Sequence, residues 1–391
     1  MQLTAPVAPL SHWALSPDVV HLNHGSYGGC PRAVFDAAAA IRVRLEAAPM
    51  RFLVLEWQAE LDRARRALAQ LIHAPEDQLV FVPSATTGVA TALASVSLAA
   101  DDEIIATSHG YRAVKNQLVR LADARGARVV TIPIAVPYDP DAFVADVAAA
   151  ITPRTRLAVL DHITSPTALC IPLERIIPLF AARGIPVLID GAHAPGQLEL
   201  DLRKLGATWY TGNNHKWLCA PKGTGFLVTT TPLRPLVTSH GASPEYGPPN
   251  RLHAELDWMG TYDPTPHLAV PTAIATIDQL GGGWSQTIAR NHALAIEMRR
   301  RLIDALGGSA RHVLAPEASL GSMAAVPIAL PAGITPFALQ TRLLTDGWEV
   351  PVIDFASGPL VRISAHLYNH AGQAEELAHK LRSLGVQLRD A

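Results

Sequence analysis

The chain has 391 residues, 49% of them hydrophobic and only 17% charged, enough apolar material for two or three cores and too little charge for a disordered chain. Its 32 basic and 34 acidic residues nearly cancel, so no net field favours nucleic acid or an anionic membrane as partner. Three cysteines without a C-x-x-C pair exclude a disulfide framework and a cysteine-built zinc site, and they point to a reducing, cytoplasmic location.

The first 23 residues lack the basic start and unbroken apolar core of a signal peptide. From Pro31 to His73 the apolar spacing predicts helices. Short apolar runs then alternate with helical stretches. Strands are expected at Leu79–Val82, Glu103–Ala106, Arg128–Ile132, Leu157–Asp161, Pro186–Asp190, Thr208–Tyr210 and Gly225–Val228. Helices are expected at Thr87–Ala99, Ala113–Ala124, Pro140–Ile151 and Ile176–Arg183. Such alternation predicts a mainly parallel α/β sheet covered on both faces. The stretch 82–100 is the longest apolar one, but proline, glycine and hydroxyl residues break it, so it reads as a loop and buried helix and not as a membrane span.

Thr238–Asn250, with prolines and glycines among polar residues, reads as an interdomain loop. Beyond it come two long helical patterns (267–280 and 284–306), strands near 324–330, 348–353 and 360–364, and a closing helix at 370–384. The expected organisation is an N-terminal arm (1–30), a large α/β domain (31–260) and a smaller α+β domain (261–391).

Ligands of open parallel sheets bind beyond the carboxyl ends of the strands, so polar residues there carry the functional reading. One apolar strand ends in Asp190, Gly191, Ala192 and His193. The next delivers Asn213, Asn214, His215 and Lys216. A third, ending in Pro83, Ser84, Ala85, Thr86 and Thr87, opens a helix whose free N–H groups suit an anion. A carboxylate, an amine and a helix-start cradle are what pyridoxal phosphate requires of a protein. The aldehyde needs an amine, the ring nitrogen a carboxylate, and the phosphate N–H and hydroxyl donors. The chain has five lysines, Lys115, Lys204, Lys216, Lys222 and Lys380. Lys204, Lys380 and Lys115 fall on helical patterns and read as solvated; Lys222, before a glycine turn, is the one rival to Lys216.

Here the sequence resembles a known family. The runs V-L-I-D-G-A-H-A-P-G (187–196) and Y-T-G-N-N-H-K-W-L-C-A-P-K-G (210–223) are similar to the class V aminotransferase family of fold-type I pyridoxal-phosphate enzymes. With L-N-H-G-S-Y-G (22–28), H-I-T-S-P-T-A-L (162–169) and R-I-S-A-H-L-Y-N (362–369), they most resemble its isopenicillin N epimerase-like branch. The resemblance implies Lys216 as the Schiff-base lysine and Asp190 as partner of the ring nitrogen. It implies His193, with Ser165 or Thr164, at the phenolic oxygen, and Ala85, Thr86, Thr87, Asn213 and His215 around the phosphate. It further implies Tyr111 stacked on the ring, Arg362 on the substrate carboxylate, and Asn23 and His24 near the substrate. Thr261, in W-M-G-T, is implied to reach the phosphate of a neighbouring subunit, hence a homodimer with shared sites.

The implied substrate is a small molecule, an α-amino acid or a derivative of one, and Lys216 is the natural base for its Cα proton. Epimerisation is the expected reaction, with β-eliminating C–S cleavage, transamination and a non-catalytic cofactor-binding role as alternatives. Epimerisation needs a second acid, for which Tyr27, Tyr246, Tyr262 and His24 are candidates. No cysteine follows Cys219, so the persulfide relay of the family's cysteine desulfurases is not expected. Other motifs fail: His366 and His370 lack the Glu of a H-E-x-x-H metal site, and G-x-S-x-G, the Walker loop and the dinucleotide fingerprint are missing.

Overall fold

The computed structural model describes residues 3–243 and 251–391. At its centre lies a seven-stranded sheet built from β1 (Leu79–Val82), β2 (Glu103–Thr107), β3 (Arg128–Ile132), β4 (Thr155–Asp161), β5 (Val187–Asp190), β6 (Trp209–Asn213) and β7 (Gly225–Thr229). The order across the sheet is β1-β7-β6-β5-β4-β2-β3. Strand β7 runs antiparallel to both neighbours, and the remaining pairs are parallel. The seven apolar runs read from sequence are these seven strands.

Alternation along each strand feeds two apolar layers. Leu79, Phe81, Val187 and Ile189 join the core on one face, while Val80, Val82 and Leu188 join that on the other. Helices α1 (Arg32–Ala47), α2 (Trp57–Leu71), α3 (Ala85–Ala94), α4 (Arg112–Arg125), α5 (Pro140–Ala150) and α6 (Leu173–Ala181) lie between or before the strands. No helix among the described residues is long and apolar enough to cross a bilayer.

Helix α3 starts two residues before the expected Thr87, because the Ser84 hydroxyl accepts the Thr87 N–H (3.3 Å) and caps it. It also stops early, where Ser95 turns its hydroxyl back to the Thr91 carbonyl (3.2 Å). Gly88 lets α3 lie against β6: a Cβ there would stand 2.1 Å from the Thr211 hydroxyl.

The C-terminal part begins with α7 (Val270–Gly281), which packs on α1 and α2, and α8 (Trp284–Ala305). A four-stranded antiparallel sheet follows in the order β9-β10-β8-β11, made of β8 (Met323–Ala329), β9 (Val352–Ile353), β10 (Leu360–Ser364) and β11 (Gln387–Leu388). Helices α8 and α9 (Pro336–Thr345) pack on it, and α10 (Gly372–Ser383) packs on α8. The strand expected over 348–353 is divided: Trp348–Glu349 pairs with Val20–His21, and Val352–Ile353 joins β10. Pro351 lies at the break and has no N–H to continue a ladder. The Val20–His21 pairing holds the N-terminal arm. Leu22 gives its N–H to Glu349 and takes that of Ser364 (2.9 and 2.8 Å), which carries Asn23 to Gly28 over the carboxyl ends of the large sheet.

Candidate active site

Strands β4 and β5 end side by side, with Asp161 paired to Asp190 in register. Beside them β6 ends at Asn213, three residues before Lys216. Beyond β1, Ser84 caps α3 next to Gly225, the first residue of β7; a Cβ on Gly225 would lie 3.2 Å from the Ser84 Cα. The strand ends and this helix start therefore share one cavity of about 150 Å³. Asp190, His193 and Lys216 line it, with Thr86, Ala85, Asn213 and His215 at the helix start and Tyr111 and Ser165 at the mouth.

The Lys216 Nζ lies 3.2 Å from His193 Nε2. Burial lowers the amine to about 7; the Arg362 charge adds to the fall and Asp190 opposes it. His193 is held neutral, well below its ordinary value, by burial and by the cations Lys216 and Arg362. Its Nδ1 is buried without a hydrogen-bond partner. Burial raises Asp190, against the Ala192 N–H (3.0 Å) and Lys216, which both favour its charge. Asp161 is raised well above its ordinary value by burial and by the Asp190 charge. Two adjoining buried acids and an unpartnered imidazole nitrogen make a pocket that would gain from a bound N–H cation and a further polar group.

The Lys216 shift has a direct consequence. In cofactor-free protein, limiting amine acylation followed by peptide mass spectrometry should label Lys216 half-maximally near pH 7, whereas an ordinary lysine titrates near 10.4. Lowering the pKa moves the reactive free amine to lower pH, so labelling that still climbs steeply at pH 9.5 would mean a solvated side chain.

The helix start expected to cradle an anion is that of α3. Ala85 gives its N–H to Asn213 Oδ1 (2.8 Å) and Thr87 gives its own to Ser84, while Thr86 lines the cavity. His215 is turned by its Nδ1, which donates to the Thr224 carbonyl (2.9 Å). Thr87, expected in the cradle, does not line the cavity, because its N–H and hydroxyl are both taken up by Ser84.

Arg362 projects from β10 and is buried. Its guanidinium gives hydrogen bonds to the Ser165 carbonyl and to the Ser26 hydroxyl (2.9 Å), and Nε has no partner. Burial brings it down to about 10, still a cation at neutral pH. Ser26 in turn donates to Asn23 Oδ1 (2.5 Å), so Asn23 acts on Arg362 through Ser26 and does not itself line the cavity.

Several expected residues lie elsewhere. Thr164 is spent within its own turn, accepting the Leu169 N–H (2.9 Å) and bonding Thr167 (2.8 Å); Ser165 is the member of that pair at the cavity. Thr261 lines a separate cavity with Met50, Trp57 and Trp258. Of the second-acid candidates, Tyr27 lines the Lys216 cavity and is 72% exposed, whereas Tyr262 is turned to the Asp257 carbonyl (3.2 Å). Tyr246 lies outside the described residues. Lys222, the rival amine, bonds the Gly28 carbonyl (3.0 Å) away from the cavity. Asp161 and Ser26 were not singled out from sequence. Asp161 closes an apolar strand as Asp190 does, so the same strand-end reasoning finds it.

His24 also differs from expectation: it is buried behind the Lys216 backbone and lines neither this cavity nor its neighbour. Its Nδ1 accepts from Gly29 N–H (3.3 Å) and from the Tyr368 hydroxyl (2.9 Å), which puts its proton on Nε2, facing the Lys216 carbonyl (3.1 Å). His366 stacks on it with centroids 4.0 Å apart, and Cys219 Sγ lies 3.6 Å from the Nε2 of each ring. Stacked rings send their in-plane lone pairs side by side and do not converge them on one cation. The cluster buttresses the turn that carries Lys216.

Residues 30–302 match the family described as aminotransferase class-V. An isopenicillin N epimerase of Amycolatopsis lactamdurans is 36% identical over 394 residues, covering 95% of this chain and 96% of that protein. An L-cysteine desulfhydrase of Arabidopsis thaliana is 27% identical, covering 94% of this chain and 88% of the other. Among solved structures, a mutant of C-DES with glycine covalently linked to its PLP cofactor superposes with a TM-score of 0.80 at 20% identity, covering 93% of this chain and 96% of that one.

Proposed function

The chain belongs to the aminotransferase class-V family, and we propose that it binds pyridoxal phosphate and acts at the Cα of an amino acid or amino-acid derivative, inverting its configuration. The observation that carries this is the shared cavity: Lys216, with an amine brought to about 7, stands 3.2 Å from His193 and in one pocket with Asp190 and the start of α3. The residues fit the cofactor. Lys216 would hold its aldehyde, Asp190 its ring nitrogen, His193 and Ser165 its phenolic oxygen, and Thr86, Asn213 and His215 its phosphate, with Ala85, whose N–H is given to Asn213, lining that end and Tyr111 against the ring face.

Bound there, pyridoxal phosphate supplies an aldehyde for an amine and a protonated ring that accepts the electron pair left at Cα when a proton departs. The rest falls to the chain. Arg362, fixed by Ser26 and Ser165, presents a planar cation to the substrate carboxylate and so sets which Cα bond faces the ring. Lys216, whose burial favours the free amine, takes or returns the Cα proton on its side. Asp190 supplies the negative charge that favours a protonated ring. Tyr27, the second-acid candidate that lines the cavity, serves the other side.

Inversion is favoured over elimination by the 36% identity to an epimerase across nearly the whole chain. The relatives that are L-cysteine desulfhydrases keep β-elimination as the second reading. None of the three cysteines lines this cavity or the one beside it, which argues against a persulfide relay. The reading includes a cytoplasmic homodimer in which Thr261 serves the partner's phosphate site. Its support is the exposed apolar surface of Met50 (80%) and Val54 (66%) at the Thr261 cavity.

Purified protein should be yellow, and borohydride should fix the cofactor to the Lys216 peptide. Incubation in D₂O with a panel of amino acids should exchange Cα hydrogen and yield both configurations for at least one of them. Sulfide and pyruvate from cysteine would instead select elimination, and a colourless protein or a cofactor fixed elsewhere would overturn the reading.

A further inference from the structure

A second cavity, of about 520 Å³, adjoins the first, and Ser26, Tyr111 and Ser165 line both. Arg362 stands on its wall. Away from Arg362, the lining includes Arg112 and Lys115, from the first turn of α4, and the apolar side chains of Pro351, Ile353 and Phe355. Phe355 is held edge-on against His109 (4.8 Å), which is itself hydrogen-bonded to Thr167 (2.8 Å), so this wall is fixed from behind.

The charges are unbalanced. Arg112, Lys115 and Arg362 face the cavity with Asp354 as the one carboxylate on its lining. Arg112 and Lys115 form no ion pair among the described residues, whereas Arg42, Arg44, Arg128 and Arg175 each have a carboxylate partner. Lys115 gives one proton to the Ser108 carbonyl (2.5 Å) and keeps two free to donate. Three residues apart on α4, the two cations share a helix face. Tyr111, in the capping position, offers no side-chain hydrogen bond to the first turn, so the positive end of the helix adds to their field. From sequence Lys115 read as a solvated lysine; in the fold it is half-buried at a cavity.

We propose that this cavity receives the side chain of the substrate and that Arg112 and Lys115 bind a second anionic group at its far end. The substrate is then an amino acid with an apolar middle and a terminal carboxylate, or a derivative carrying such an acid, and not a three-carbon amino acid such as cysteine. This rests on the reading in which Arg362 takes the α-carboxylate. A short side chain would leave the apolar wall in water and both cations unanswered.

The test uses acids without an amine, so that binding does not depend on Lys216. Calorimetry on the cofactor-loaded protein would compare glutarate and adipate with butyrate and hexanoate. The longer dicarboxylate is expected to bind at least about tenfold more tightly than its monocarboxylate, because a second charge-assisted pair is made. R112A, at an exposed position, and the double variant R112A/K115Q should remove most of that preference while leaving monocarboxylate affinity within about twofold and the cofactor colour intact. R112K should restore much of it. Equal binding of both acid types by the native protein, no binding of either, or an undiminished preference in the double variant would overturn the proposal. The reading of Lys216 fails separately, by loss of the borohydride-fixed cofactor.

Discussion

Replacing Lys216 with alanine is expected to lower turnover by at least about a thousandfold, since one side chain provides both the covalent anchor and the Cα base. The variant should still fold. At pH below about 7 the native protein must bury an ammonium group whose pKa burial and Arg362 lower more than Asp190 raises it, and alanine removes that cost. Cofactor-free variant should therefore be at least as stable as cofactor-free native protein at pH 6, which thermal melts would check. Pyridoxal phosphate should bind the variant without being fixed by borohydride, and small primary amines should restore part of the Cα exchange. A variant that retained covalent cofactor would reassign the anchor, with Lys222 as the first residue to inspect; its 3.0 Å bond to the Gly28 carbonyl makes that outcome unexpected.

Asp190→Asn should also cost about a thousandfold in turnover, comparable with the loss of a preorganised electrostatic partner elsewhere, but by a different route. The amine remains, so borohydride should still fix the cofactor to Lys216. What is lost is the charge that favours a protonated ring. Asp190 is also the group that raises Lys216 against burial and Arg362, so the amine should titrate below about 7 in the variant. Asp161, relieved of its charged neighbour, should ionise more readily. Acylation of Lys216 as a function of pH reads the first shift, and Cα exchange in D₂O reads the turnover. Activity within tenfold of native would show that the carboxylate at 190 is not the ring partner.

Much of this arrangement was legible because it is local in the chain. Asp190 closes an apolar run and Lys216 follows three residues after a strand ends at Asn213, and a strand end is recognisable from a few consecutive residues. Apart from the edge strand β3, which is buried only at Ile132, the runs of the large sheet could be read for the same reason: strands buried on both faces are nearly continuous in apolar residues. The motif around Arg362 was legible too, but its partners Ser165 and Ser26 are 197 and 336 residues away, and nothing near position 362 announces them.

Adjacent residues with opposite fates were the harder cases. Ser165 lines the cavity while Thr164 satisfies its own turn. Asn23 and His24 belong to one motif, yet Asn23 supports Ser26, and His24 packs against His366, Trp217 and Tyr368 behind the lysine. In both pairs the direction of a side chain depends on how a turn meets a distant segment, which composition and spacing do not encode.

The residues themselves determined a cofactor-type chemistry: an amine, a carboxylate and a helix start, each tied to the end of an apolar run by covalent connectivity alone. Only the folded chain decided that Asp161 stands beside Asp190, that Ser26 steadies Arg362, and that Lys115 borders a cavity. Those facts are contacts between segments far apart in sequence, fixed by the register of the sheet and the seating of the N-terminal arm on the C-terminal strands.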